Sequence, residues 1–137
     1  NKGINVALGT DGASSNNNLD MLEEMRAATY LQKVITKDPT ALPVDQILRM
    51  ATVNGARALG FNNVGEIKKG MSADLIVINT EKSWYYPKYN EKSAIVYSGN
   101  SSDVEYVIIN GNIVMEKGQI LTLDEERILY EVQKRAF

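Results

Sequence analysis

Near its amino end the chain reads Ile4-Asn5-Val6-Ala7-Leu8, a short apolar, β-branched run bounded by Gly3 and Gly9. It passes straight into a polar tract, Gly9-Thr10-Asp11-Gly12-Ala13-Ser14-Ser15-Asn16-Asn17-Asn18. This pattern predicts a buried strand over 4–8 that feeds a tight loop, although its length alone also fits a buried helical turn. Gly, Ser and Asn suit the φ/ψ values of such a loop and let a ligand approach the backbone. A strand this short and apolar is stable only where neighbouring strands cover its edges.

The next stretch is helical. Leu19, Leu22, Met25, Ala28, Thr29, Gln32 and Ile35 fall near one face, while Glu23, Glu24 and Arg26 fall largely elsewhere, which predicts a helix over 19–35. Asp20 and Glu23 in its first turn complement the helix dipole. Asp38-Pro39 breaks the pattern. A second helix is expected from Pro43, a first-turn residue, through Val44, Ile47, Leu48 and Ala51. Thr52 is expected to cap a short continuation, Val53 to Leu59, that Gly60 ends. Within it, Asn54 and Arg57 are read as structural, joining helix to neighbouring wall.

Beyond Gly60–Gly65 the periodicity changes to that of strands. Val64–Ile67, Ala73–Ile78, Ala94–Tyr97 and Val104–Ile109 are strand candidates, with a turn at Lys68–Ser72 and an aromatic connector over Trp84–Asn90. Asn110-Gly111 between Val107-Ile108-Ile109 and Ile113-Val114-Met115 is a hairpin signal. A terminal helix is expected with capping-box spacing at Thr122 and Glu125 and an apolar stripe of Ile128, Leu129, Val132 and Ala136. The composition switch divides the chain into 1–62 and 63–137.

Lys and Arg number 15 and Asp and Glu 17, a net charge of −2, which argues against a nucleic-acid or anionic-membrane partner. The absence of Cys excludes a disulfide scaffold and is compatible with a cytoplasmic setting. No apolar stretch approaches a membrane span, and the start carries no signal-peptide pattern.

Asp11 is the residue with most chemistry in its position. A carboxylate at the carboxyl end of a buried strand is where barrel enzymes place catalytic groups. Yet the chain has no His and no Cys, and one Asp among Ser and Asn cannot hold a transition metal tightly. Either Asp11 is an ordinary turn carboxylate, satisfying local N–H groups, or its partners lie on polypeptide outside this chain. Because a strand begins almost at once after Asn1, an amino-terminal portion is expected to be missing.

Three stretches together carry a resemblance: Leu8–Asn17, Ala51-Thr52-Val53-Asn54-Gly55-Ala56-Arg57-Ala58-Leu59-Gly60, and Gly65-Glu66-Ile67-Lys68-Lys69-Gly70-Met71-Ser72-Ala73-Asp74 followed by Leu75–Ile78. In this order they resemble the carboxyl-terminal portion of the metal-dependent amidohydrolase superfamily. The Asp11 loop with its Ser/Asn run is similar to the branch that deaminates 5-methylthioadenosine and S-adenosylhomocysteine. The hairpin 107–116 and the segment 121–126 resemble that branch too.

The resemblance implies an α/β fold: the last strand and helices of a (β/α)8 barrel over 1–62, and a small β-sandwich portion with a terminal helix over 63–137. It implies a divalent metal, usually zinc, held by His residues of earlier strands and by Asp11, which lowers the pKa of its bound water. Asp11 would take a proton from that water and help pass it to the leaving amine. No other catalytic position of the family has a match here. Ser14, Ser15 and Asn16 are expected to line a small-molecule nucleoside pocket, with loop capping an equal alternative. The chain by itself is expected to bind no catalytic metal, to show no turnover and to form a homo-oligomer. The rival expectations are a guanine or cytosine deaminase, a chlorohydrolase-type enzyme, or a non-catalytic β-rich binding or assembly module.

Overall fold

A computed structural model describes residues 2–136. Among these residues five α-helices and four strands follow in the order α1 (Met21–Thr36), α2 (Val44–Ala51), α3 (Val53–Ala58), β1 (Leu75–Ile78), α4 (Glu91–Ser98), β2 (Val104–Ile109), β3 (Asn112–Glu116), β4 (Gln119–Ile120) and α5 (Glu125–Arg135).

Helix α1 begins where Asp20 accepts from the N–H groups of Leu22 and Glu23, at 2.8 and 3.2 Å. This satisfies two of the donors that a helix start leaves open. It stops at Lys37, which takes the left-handed conformation at φ 54°. The expected face is confirmed in its middle, where Leu22, Met25 and Thr29 are buried, but not at its ends: Leu19 and Ile35 are exposed.

Leu22 and Met25 of α1 form one apolar cluster with Ile47 of α2 and Val96 of α4. Helix α4 therefore packs on the two helices that precede the composition switch. The region 94–97, expected as a strand, is helical. Its run of Ala, Ile, Val and Tyr reads as β, but Asn90 caps a helix by accepting from Ser93 N at 2.9 Å. The resulting two turns place Val96, fully buried, into the cluster. Tertiary burial overrides the weak local preference for strand.

The sheet is antiparallel in the order β1-β2-β3-β4. Strand β2 matches its expected limits, and the β2–β3 hairpin turns at Asn110 and Gly111 with φ values of 48° and 80°. Two positive φ values are what a two-residue turn matching strand twist requires. The tip is tied down by Gly111 N to Ala73 O at 3.0 Å and by Asn110 N to the Asp74 carboxylate at 3.1 Å.

Two other expected strands form no ladder. Residues 64–67 are irregular, with a bend at 65–66 and Gly65 at φ 93° pressed against the α2–α3 junction. Residues 4–8 are irregular as well: Ile4 and Val6 are exposed, and no strand pairs with them among the described residues. Their hydrogen bonds go to the helices instead, from Leu8 N to Met50 O at 3.0 Å and from Asn54 Nδ2 to Val6 O at 2.8 Å. Two expected caps also differ. Thr52 stands at the start of α3, but its hydroxyl donates back to Leu48 O at 2.7 Å. The last helix is capped by Asp124, accepting from Arg127 N at 3.0 Å, rather than by Thr122. No residue of α5 is buried.

Candidate functional site

The loop over residues 9–20 carries the candidate chemistry. Asp11 has φ 61°, a left-handed conformation that an L-residue adopts at a cost and that short polar side chains tolerate through local hydrogen bonds. Its Oδ1 accepts from Gly12 N at 2.7 Å. The carbonyl of Gly12 in turn accepts from the N–H groups of Ser15 and Asn16, both at 2.9 Å, so residues 12–16 close into a compact turn. The result is a carboxylate raised on an exposed, backbone-bonded loop.

Asp11 lines an open cleft of about 580 Å³. Leu8 and Thr10 line it beside Asp11, Ala51 and Gly55 come from the helices, and Phe61 and Asp74 line it as well. Asp74 is a second carboxylate on this cleft, with its Oδ1 engaged by Asn110 N. Ser14 and Ser15 are exposed on the turn, and neither they nor Asn16 are among the residues lining the cleft. Asn16 is half-buried and points back into the loop, donating from Nδ2 to Thr10 O at 2.9 Å and to Glu24 Oε1 at 2.8 Å. Glu24 falls away from the apolar face of the helix, and no local spacing rule links it to Asn16, eight residues earlier, so its loop contact was invisible in the sequence.

Asp11 offers a metal one ligand position. With Oδ1 held by Gly12 N, its other carboxylate oxygen has no hydrogen-bond partner among the described residues. No group of three or more His, Cys, Asp or Glu side chains converges among those residues. One oxygen donor is compatible with a single vertex of a zinc site, which takes three or four protein ligands and favours imidazole among them. For the remaining vertices this chain has no imidazole or thiolate to offer, since it has no His and no Cys.

Elsewhere, Asp103 is the most densely bonded acid. It is fully buried and accepts from Lys82 Nζ at 2.8 Å, Tyr85 Oη at 2.7 Å, Trp84 Nε1 at 3.2 Å and Asn100 N at 3.0 Å. Burial alone would raise its pKa, but these donors outweigh it and hold the carboxyl at about 2. Burial, then the adjacent Asp103 carboxylate, pushes the Tyr85 hydroxyl up to about 12. Both carboxylate oxygens are engaged, Oδ1 by Lys82 and Oδ2 by Trp84, Tyr85 and Asn100, and the hub anchors the aromatic connector to the start of β2.

The sequence profile of the amidohydrolase family matches residues 1–114. A 5-methylthioadenosine/S-adenosylhomocysteine deaminase of Pelotomaculum thermopropionicum is 57% identical over 134 residues, covering 98% of this chain and 31% of that protein. A 5'-deoxyadenosine deaminase of Methanosarcina barkeri is 50% identical over 135 residues, covering 98% and 31%. Among solved structures, an adenosine deaminase of Xanthomonas campestris with bound zinc superposes with a TM-score of 0.92 at 35% identity, covering 96% of this chain and 30% of that one. The chain thus spans about a third of the length of the proteins it matches.

Proposed function

Because the chain belongs to the amidohydrolase family, we propose that it is the carboxyl-terminal part of a hydrolytic deaminase acting on adenosine-type nucleosides, 5-methylthioadenosine and S-adenosylhomocysteine foremost. The observation that carries this reading is the 57% identity, sustained over 98% of the chain, with a relative bearing that name. The Asp11 loop lies within the matched stretch and holds its carboxylate at the rim of a cleft wide enough for a small molecule. Residues 1–62 take the part of the last barrel segment, and 63–137 that of a β-sandwich portion with its terminal helix.

The reaction replaces the purine 6-amino group by oxygen and releases ammonia. A zinc ion, when bound, supplies the Lewis acid that lowers the pKa of water at the site. Within that site Asp11 contributes its free carboxylate oxygen, accepts a proton from the attacking water and returns it towards the departing amine. The Oδ1–Gly12 bond keeps the carboxylate from rotating away from the cleft. Ser14 and Ser15, exposed on the same turn, would contact the part of the nucleoside that projects from the cleft.

Exposed Ile4, Val34 and Ile35, each more than 70% accessible, support a larger assembly that covers them. The 137 residues alone would bind no catalytic zinc and turn nothing over. No helix among the described residues is long and apolar enough to cross a membrane. We place the enzyme in the cytoplasm as a homo-oligomer.

Ammonia release by the full-length protein from 5-methylthioadenosine, S-adenosylhomocysteine, 5'-deoxyadenosine, guanine and cytosine tests the reading. Turnover of the adenosine-type substrates is expected. Turnover confined to guanine or cytosine, or chloride release from a chlorinated heterocycle in its place, would overturn it.

A further inference from the structure

We propose that Asn16 is a positioning residue for Asp11, a role that rests on the deaminase reading of Asp11 and deepens it. Both N–H groups of the Asn16 amide are engaged inside the loop, one on Thr10 O at 2.9 Å and one on Glu24 Oε1 at 2.8 Å. Its Oδ1 accepts from Asn18 N at 3.2 Å. The orientation of the amide follows from its partners: a carbonyl and a carboxylate only accept, so the NH₂ must face them. Asn16 therefore has no N–H left for a substrate, and the pocket role that the sequence suggested for it gives way to a structural one.

The consequence for Asp11 follows from covalent geometry. Thr10 O belongs to the peptide plane that ends at Asp11 N, so holding that oxygen sets the plane from which the Asp11 side chain departs. Asp11 carries φ 61°, a conformation that relaxes unless its surroundings over-determine it. Glu24 supplies the outer anchor. It lies on α1 between Leu22 and Met25, both buried in the core cluster, so its backbone is immobilised by packing. A continuous path thus runs from the core through α1, Glu24, Asn16 and the Thr10 carbonyl to the candidate catalytic carboxylate.

The test uses the full-length enzyme with Asn16→Asp, Asn16→Ala, Glu24→Gln and Glu24→Ala. Two readouts are taken: kcat and KM on an adenosine-type nucleoside, and the visible absorption of the cobalt(II)-substituted protein, which reports ligand geometry at the metal. Asn16→Asp keeps the shape but turns the donor into a third acceptor facing two others. It should lower kcat about 10–100-fold, the usual cost of losing a partner that orients a ligand, with KM changed less than about twofold, and should alter the cobalt band. Glu24→Gln retains the acceptor and should stay near wild type, whereas Glu24→Ala should fall between, a comparison that holds even if Asn16→Asp folds poorly. A raised KM with kcat intact would make Asn16 a substrate contact and overturn the proposal. So would wild-type kcat and spectrum in Asn16→Asp and Glu24→Ala. If the wild-type enzyme deaminates no adenosine-type nucleoside, the substrate reading falls alone, and the cobalt spectra still decide the role of Asn16.

Discussion

Asn54 and Val6 are joined across the chain: Nδ2 of Asn54 donates to the Val6 carbonyl at 2.8 Å, and the Asn54 carbonyl accepts from Asn5 Nδ2 at 3.0 Å. This reciprocal pair, with Leu8 N on Met50 O, lashes the segment before Asp11 to α2 and α3. Asn54→Ala removes the side-chain half. It should cost about 0.5–1.5 kcal/mol, the net contribution of one such bond, read as a lower urea midpoint with unchanged slope.

Ile47 is completely buried and touches both α1 and α4 through the shared cluster. Ile47→Ala should destabilise the protein by about 2–5 kcal/mol, since the site loses apolar contacts and retains part of the cavity. Chemical denaturation compared with Ile47→Val, expected to cost about 0.5–1.5 kcal/mol, checks the size dependence.

Gly65 at φ 93° faces the backbone of Val53, where an added Cβ would lie 2.8 Å from Val53 Cα. Gly65→Ala is strained in backbone conformation and meets main-chain atoms that cannot rotate away. A loss of about 1–3 kcal/mol is expected from the conformation alone, measured by thermal or urea unfolding. An alanine variant as stable as wild type would show that α2, α3 and the 65–66 bend do not pack as described.

The Asp103 hub predicts a pH dependence of defined sign. Its folded pKa of about 2 lies below the ordinary 3.8, so the unfolded state binds the proton more readily. The stability from its hydrogen bonds is therefore fully present above about pH 4–5 and is lost as pH falls towards 2, about 2 kcal/mol in all for a shift of this size. Unfolding curves of wild type and Asp103→Asn at pH 6 and pH 3 provide the check. The stability gap between them should narrow on acidification; a gap independent of pH would contradict this account of the hub.

The parts of the fold written in the sequence are those with local causes. The amphipathic run announces α1, although Asp20, expected inside its first turn, stands just before it as the N-cap; Asn110-Gly111 marks the hairpin, because turn chemistry acts within a few residues. Helix α4 was not legible from its apolar content: Ala94–Tyr97 reads as β, and only Asn90 ahead of Ser93, with Gly99 behind, signals a helix. Its burial against α1 and α2 is non-local. The 4–8 run is strand-like in composition, but a strand is defined by its partners, and here the helices take its hydrogen bonds. The same division applies to the site. Asp11 stood out by its place after an apolar run, whereas the Asn16–Glu24 contact depends on how the loop folds back over α1.

On the proposed reading, Asp11 moves the proton in the intact enzyme. Asp11→Asn tests it most directly, because Asn also tolerates the left-handed conformation at φ 61° and leaves the loop backbone intact. The measurement is kcat for ammonia release from 5-methylthioadenosine by the full-length variant, with circular dichroism to show an unchanged fold. A loss of about 10²–10⁴-fold is expected, the range for removing a positioned acid–base group. A kcat indistinguishable from wild type would contradict it and return Asp11 to the role of a turn residue.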